Sequence, residues 1–185
     1  MNILTESSLI QGCINKNENC QKQLFNCYSG KMMSVCLRYA NDEQQAQDML
    51  QEGFIKVFGY IQQYKFEGSF EGWMRRVFVS VAARQMSKQK IHFSNIDLTD
   101  ETLHSIDPSV VSKISENEIH SMIRAMPGGY RMVFNLSVIE GYSHEEIAAM
   151  LGIQATTSRG QLLKARKYLQ AMIEKRVVKT SIPND

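Results

Sequence analysis

Thr156, Thr157, Arg159, Gln161, Lys164 and Arg166, near the C-terminus, carry the most specific chemistry in this chain. Arginine and glutamine can each make paired hydrogen bonds to a base edge, guanine for the first and adenine for the second, while Lys164, Arg166 and Lys167 are better suited to phosphate oxygens. A second set lies between residues 64 and 84, where Tyr64, Phe66, Phe70 and Trp73 stand beside Lys65, Arg75, Arg76 and Arg84. Aromatic faces interleaved with bases are what hold opened nucleic acid, by stacking on the bases and tracking the phosphates. Aromatics at helical spacing also build cores. Phe70 and Trp73 are therefore expected to be mainly structural, with Tyr64, Lys65 and Phe66 nearer the nucleic acid. A third set is acidic: Asp48 and Glu52, four residues apart on one helix face with Gln51 beside them, oppose Met49 and Phe54 and form a strip open to a basic partner.

The elements that position these residues read as helices throughout. Apolar residues recur at spacings of three and four rather than two, and only three prolines occur, at 108, 127 and 183. Leu24, Tyr28, Met32, Val35 and Tyr39 mark one amphipathic helix. Ala46, Met49, Leu50, Phe54, Val57, Phe58 and Ile61 mark a second, for which Asn41 is a candidate cap. A third, from Phe70 to Lys88, follows the break KFEGS and carries Trp73, Val77, Val81 and Ala82. The expected organisation is an N-terminal helical domain over 1–90, a linker over 91–114 that loses the helical period, a second domain of four short helices over 115–175, and a tail over 176–185.

Within the second domain, Ser143 can cap a helix with Glu146 closing a capping box, Gly152 can take the left-handed turn that ends it, and a further helix begins near Ala155. Ile147, Ala148 and Leu151 would pack against Ile153, Leu162 and Ala165, leaving Thr156, Thr157, Arg159, Gln161, Lys164 and Arg166 exposed. A polar, basic second helix after a glycine turn is what a helix-turn-helix lays in the major groove. Gly160 stands inside that helix at a cost of about 1 kcal/mol relative to alanine.

Composition narrows the function classes. The chain has 185 residues, 43% of them hydrophobic, and a formal net charge of +2. The small net charge hides an uneven distribution. Five bases and no acid lie between Arg75 and Lys90, seven bases and one acid lie between Gln154 and Lys179, and four acids (Asp97, Asp100, Glu101, Asp107) face Lys113 in the linker. No apolar run approaches a membrane span and MNILTESSLIQGC lacks a secretory pattern, so a cytoplasmic protein without membrane insertion is expected. His92, His104, His120 and His144 are scattered, with no metal-ligand spacing, phosphate loop or nucleophile elbow, so no enzyme, cofactor or metal is expected. Cys13, Cys20, Cys27 and Cys36 form no Cys-x-x-Cys pair and read as reduced, partly buried thiols, since a zinc site or redox switch would need the fold to gather them.

At this point the pattern becomes specific. The block MPGGYRMVFNLSVIEGYSHEEIAAMLGI followed by TTSRGQLLKARKYL resembles region four of the extracytoplasmic-function sigma factors of bacterial RNA polymerase. QDMLQEGFIKVFGYI resembles their region-two helix that docks on the polymerase clamp, and YKFEGSFEGWMRRVFVSVAARQM resembles the segment that reads and melts the minus-ten element. The resemblance spans roughly residues 5 to 175 in the family's order. It implies an all-helical protein of two small domains that binds core polymerase at the clamp and flap and directs initiation at promoter DNA. By the same resemblance, Asp48, Gln51 and Glu52 would contact polymerase. Tyr64, Lys65, Phe66, Arg75, Arg76, Ser80 and Arg84 would serve the minus-ten element, and Thr156, Thr157, Arg159, Gln161, Lys164 and Arg166 the minus-thirty-five element. Ser80 stands where an asparagine is common and Phe66 where a small residue often sits, which puts the minus-ten base preference in doubt. The linker acids fit a segment that threads a path made for nucleic acid, or a plain spacer. Whether an anti-sigma factor restrains the protein is left open. The competing reading is a helix-turn-helix regulator that acts without docking on core polymerase.

Overall fold

The computed structural model describes residues 5–88 and 114–180, except the side chains of residues 88 and 177–180. Among the described residues the chain is helical and contains no strand. It divides into two compact units, Met1–Gln85 and Met86–Asp185. The expected linker, apart from Ile114, and its four acids lie outside the described residues, as do Lys90 and residues 181–185 of the expected tail.

The first unit begins with a helix that apolar spacing did not flag, α1 (Glu6–Ile14), started by Thr5, whose hydroxyl accepts from the Ser8 N–H. It buries Leu9, Ile10 and Cys13 against α2 (Glu18–Tyr39). Asn17 caps α2 by accepting from the Cys20 N–H at 3.1 Å. The next helix, α3 (Glu43–Tyr60), is capped by Asp42 rather than by the expected Asn41. Asp42 accepts from the Gln45 N–H at 2.7 Å while the Gln45 side chain accepts from the Asn41 N–H at 2.7 Å, so the two bonds close over the helix start one residue later than the sequence implied. A single 3-10 turn (Ile61–Gln63) leads through a loop to α4 (Phe70–Lys88).

The core of this unit is aromatic where α2, α3 and α4 meet. The Phe54 ring lies 4.7 Å from Phe25 and 5.4 Å from Phe78, centroid to centroid. Gly53 makes the crossing with α4 possible. A Cβ at that position would stand 2.1 Å from the Phe78 ring, so any larger residue would push the helices apart. Lys31 on α2 and Glu71 on α4 add an ion pair at 2.6 Å on the surface.

The second unit is built from α5 (Glu116–Arg124), α6 (Gly128–Phe134), α7 (His144–Leu151) and α8 (Ala155–Thr180). Ser115 and Glu118 close a capping box at the start of α5. After Phe134 the helix widens into one π turn, Asn135–Ile139, that buries Asn135 and Leu136 while Val138 and Ile139 stay exposed. Gly141, at φ +79°, then turns the chain into α7. The last helix is not short, as the sequence suggested, but 26 residues long. Its length is used for attachment: the Tyr168 hydroxyl donates to the Ala125 carbonyl at 2.9 Å, and the Arg176 guanidinium bonds Glu118 at the head of α5. Arg131 of α6, buried, donates to the Arg124 carbonyl at 2.8 Å, and burial lowers the pKa of its guanidinium. Its bond and that of Tyr168 satisfy carbonyls at the C-terminus of α5 that have no partner within the helix.

Candidate nucleic-acid and polymerase interfaces

In the second unit, the turn between α7 and α8 has the form expected of a DNA-reading pair of helices. Ser143 accepts from the Glu146 N–H at 3.2 Å and Glu146 accepts from the Ser143 N–H at 2.8 Å. Hydrogen bonds to its carboxylate from the Ser143 backbone N–H first, and from the Ser143 side chain after it, hold Glu146 below the usual carboxylate range. Gly152, at φ +67°, ends α7 in the left-handed conformation, and α8 starts at Ala155. Ile147 and Leu151 of α7 and Leu162 and Ala165 of α8 are buried, which sets the angle at which α8 is presented.

Not all the expected recognition residues share one face. Thr156, Arg159 and Arg166 are exposed, Thr157 and Lys164 half-buried. Gln161 is 1% exposed, one turn from Ser158 on the inner face, which corrects the expectation that it would be exposed. The periodicity explains the error: 158, 161, 162 and 165 follow the three-and-four spacing of a buried stripe, and the polar type of Gln161 masked its position. The Lys164 ammonium lies 6.0 Å from the centre of the Tyr130 ring. Arg159 and Arg166, seven residues apart, stand about two turns along one exposed face. Arg159 donates from Nη2 to Glu145 Oε1 at 2.5 Å. Beneath it, His144 Nδ1 and the Ser158 hydroxyl are 2.9 Å apart. Partial burial, then the nearby guanidinium of Arg159, lower the His144 pKa, with Arg166 adding to the effect and Glu145 opposing it.

In the first unit, the segment from 64 to 84 separates into a post and a face. Tyr64 is buried, and its hydroxyl donates to the Gly68 carbonyl at 2.8 Å, so it braces the loop instead of standing at its surface as expected. Its ring lies 5.1 Å from both Phe66 and Phe70, and Phe70 stacks on Trp73 at 5.5 Å. Phe70 is fully buried and Trp73 partly so. Phe66 is half exposed at the loop tip with φ +59°, a conformation that suits glycine and costs a residue with a side chain about 1–2 kcal/mol. Lys65 is exposed beside it. Arg76, Ser80 and Arg84, each four residues after the last, form one exposed face of α4, while Arg75 pairs with Glu71 at 3.8 Å.

The acidic strip on α3 is present and has an apolar end. Asp48 and Gln51 are exposed and Glu52 is half exposed. Asp48 accepts from the Gln44 side chain at 3.3 Å, and Glu52 accepts from Gln85 at 2.8 Å and pairs with Lys56 at 3.5 Å. Ile55, which the sequence reading passed over, is 65% exposed one turn beyond Gln51 and Glu52. The signal that could have found it is an isoleucine on the solvated side of an otherwise amphipathic helix.

Burial holds the Cys13 thiol up at about 11 and the Cys36 thiol up at about 12, so both stay protonated at neutral pH. Among the described residues no cluster of histidine, cysteine and carboxylate side chains has the arrangement of a metal site, and no helix is long and apolar enough to cross a membrane.

Two family models match the chain in sequence order: Sigma-70 region 2 over residues 24–91 and Sigma-70 region 4 over residues 116–169. The first covers the α2–α4 bundle, the second the helix-turn-helix unit, and together they span well over half of the chain. The chain belongs to the sigma-70 family. Within that family it is of the extracytoplasmic-function type. It is similar to the RNA polymerase sigma-H factor of Pseudomonas aeruginosa, at 23% identity over 159 residues, covering 80% of this chain and 82% of that one. It is also similar to the ECF RNA polymerase sigma-E factor of Haemophilus influenzae, at 23% identity over 183 residues, covering 92% and 96%. The sigma factor RpoE of Bartonella quintana, solved in complex with the anti-sigma factor NepR, shares the fold at a TM-score of 0.50 and 17% identity, covering 83% of this chain and 96% of that one.

Proposed function

We propose that this sigma-family chain binds RNA polymerase core through the α3 face bearing Asp48, Gln51, Glu52 and Ile55 and directs initiation at promoters with minus-ten and minus-thirty-five elements. In this reading the first unit takes opened minus-ten DNA on Lys65, Phe66, Arg76, Ser80 and Arg84, with Tyr64 bracing the loop and Arg75 flanking the face. The second unit reads the upstream element as duplex through the exposed edge of α8, Thr156, Thr157 and Arg159 toward bases and Lys164 and Arg166 toward phosphate. Gln161 would take part from its buried position only by setting the helix in place. The observation that carries the reading is the presence in one chain, in family order, of both the region-two bundle and the region-four helix-turn-helix. A regulator that acts without polymerase accounts for the second and leaves the first unexplained. A protein that competes for the same surfaces of the first unit would act as an anti-sigma factor.

The test is run-off transcription by core polymerase with and without this protein on the DNA upstream of its own gene. Protein-dependent transcripts from a defined start, with weak and salt-sensitive DNA binding by the free chain, are the expected result. Tight, sequence-specific binding by the chain alone, with no polymerase-dependent transcript, would replace this reading with the regulator.

A further inference from the structure

The two arginines on the outer face of α8 are in different electrostatic states. Arg166 has no carboxylate partner among the described residues, whereas Arg159 is paired with Glu145, which reaches across from the first turn of α7 at 2.5 Å. Both partners of that pair remain about half exposed or more, at 51% and 66%, so the contact is not a packing requirement of the core. Glu146, its neighbour, does the capping of α7, and Glu145 is not needed for that.

We propose that Glu145 is a specificity-determining positioning residue: its carboxylate holds the Arg159 guanidinium for a base edge and keeps a DNA phosphate from taking it. The inference rests on the recognition role given to α8 above. A guanidinium carries five N–H donors, so one bond to Glu145 leaves others to reach a base edge. Phosphate binding, by contrast, is driven by net positive charge and the counterions it releases, and an arginine already facing a carboxylate contributes little to it. Arg159 therefore gains little from DNA of the wrong sequence, while Arg166 supplies sequence-independent attraction on the same face.

The experiment uses full-length protein with core polymerase on a promoter library randomised in the upstream element, together with the salt dependence of complex formation. Glu145→Gln keeps the size and removes the charge; Glu145→Ala is the second variant, and both are checked for folding by thermal melting. The preference for the best element over single mismatches should narrow about two- to fivefold, the range an exposed ion pair controls. The salt slope should steepen by about one unit as Arg159 becomes a phosphate contact. In an Arg159→Ala background the same substitutions should leave both readouts unmoved. A uniform loss of activity with preference unchanged, or an equal narrowing in the Arg159→Ala background, would overturn the proposal. If Arg159→Ala alone leaves preference untouched, the recognition reading of α8 falls; if it alters preference and the Glu145 variants do not, only the role of Glu145 falls.

Discussion

Arg176, close to the end of the longest helix, grips Glu118 in the first turn of α5 with two nitrogens, Nε to Oε1 at 2.6 Å and Nη2 to Oε2 at 3.0 Å. Glu118 also closes the capping box with Ser115, so one carboxylate ties the start of α5 to the far end of α8. The Arg176 bond first, and the Ser115 bonds after it, hold the Glu118 carboxyl down at about 2 from an ordinary 4.5. Because the folded value is the lower one, the stabilisation is full above the ordinary carboxylate range and is lost as pH falls through it toward 2. Thermal melts between pH 7 and pH 3 should show the second unit weakening on acidification. Arg176→Ala should lower the neutral-pH melting temperature and flatten that part of the pH profile. An unchanged profile in the variant would show that the pair does not tie α5 to α8.

Reversing the charge of the α3 strip should separate docking from folding. Asp48→Lys with Glu52→Lys removes the hydrogen bonds from Gln44 to Asp48 and from Gln85 to Glu52 and the Glu52–Lys56 ion pair, contacts of exposed or half-exposed side chains that contribute about 1 kcal/mol or less each. The helical circular-dichroism signal should persist while co-elution with core polymerase disappears. Ile55→Ala should weaken core binding by about 1–2 kcal/mol if a partner covers this side chain, with no loss of fold stability, because it is 65% exposed in the free chain. Core binding that survives both changes would reject the docking role.

What the sequence made legible follows from the kind of signal each element left. The helix-turn-helix was readable to the residue, because Ser143, Glu146 and Gly152 each do a task that few other residue types perform. The start of α3 was misread by one residue because Asn41 and Asp42 are both competent caps, and only the position of Gln45 decides between them. α1 escaped because its nine residues, ESSLIQGCI, make little more than two turns, too short for the helical spacing of Leu9, Ile10, Cys13 and Ile14 to stand out; its burial is completed by α2, a tertiary contact. Among candidate site residues, side-chain type led astray where burial overrode it. Tyr64 and Gln161 are polar enough to look exposed, yet one braces a loop and the other faces inward. Glu145 could not be matched to Arg159 from spacing alone, since their meeting depends on the angle between two helices.

The loop tip at Phe66 makes an unusual combination, a large aromatic residue in a left-handed conformation with its ring half exposed. Phe66→Gly would relieve about 1–2 kcal/mol of backbone strain and give up a ring contact with Tyr64 of about 0.5–1.5 kcal/mol. Fold stability should thus change little, between a loss of about 0.5 and a gain of about 1.5 kcal/mol. The open promoter complex should be shorter lived, since stacking on an aromatic side chain contributes about 1–3 kcal/mol per base. Open-complex lifetime by competitor challenge is the measurement, and a lifetime equal to that of the unaltered protein would remove Phe66 from the minus-ten interface.

On α8, Arg159 and Lys164 should fail differently. Arg159→Ala should cost about 1–3 kcal/mol on the best promoter and relax preference at one or two positions of the upstream element. Lys164→Ala should weaken all promoters alike and reduce the salt slope by about one unit. Transcription across a randomised upstream element resolves the two patterns. Identical losses from both substitutions would mean that neither side chain reads bases.

Gln161 offers a separate test of how the inner face of α8 is built. Its side chain is 1% exposed, and neither its amide nitrogen nor its amide oxygen has a hydrogen-bond partner among the described residues. An unsatisfied buried polar group costs about 1–3 kcal/mol, whereas an apolar side chain of similar length fills the same space without that penalty. Methionine matches glutamine in length and flexibility and adapts to irregular surroundings. Gln161→Met should therefore raise the melting temperature of the protein, by an amount equivalent to about 1 kcal/mol or more. Promoter preference should stay as it is, because the residue faces away from the Arg159 and Arg166 edge. Two measurements on one variant, a thermal melt and transcription across the randomised upstream element, separate the possible roles. A lower melting temperature would mean that the amide is satisfied in solution. A changed preference with an unchanged melting temperature would return Gln161 to the DNA-reading surface, and would require α8 to turn about its axis when it enters the groove.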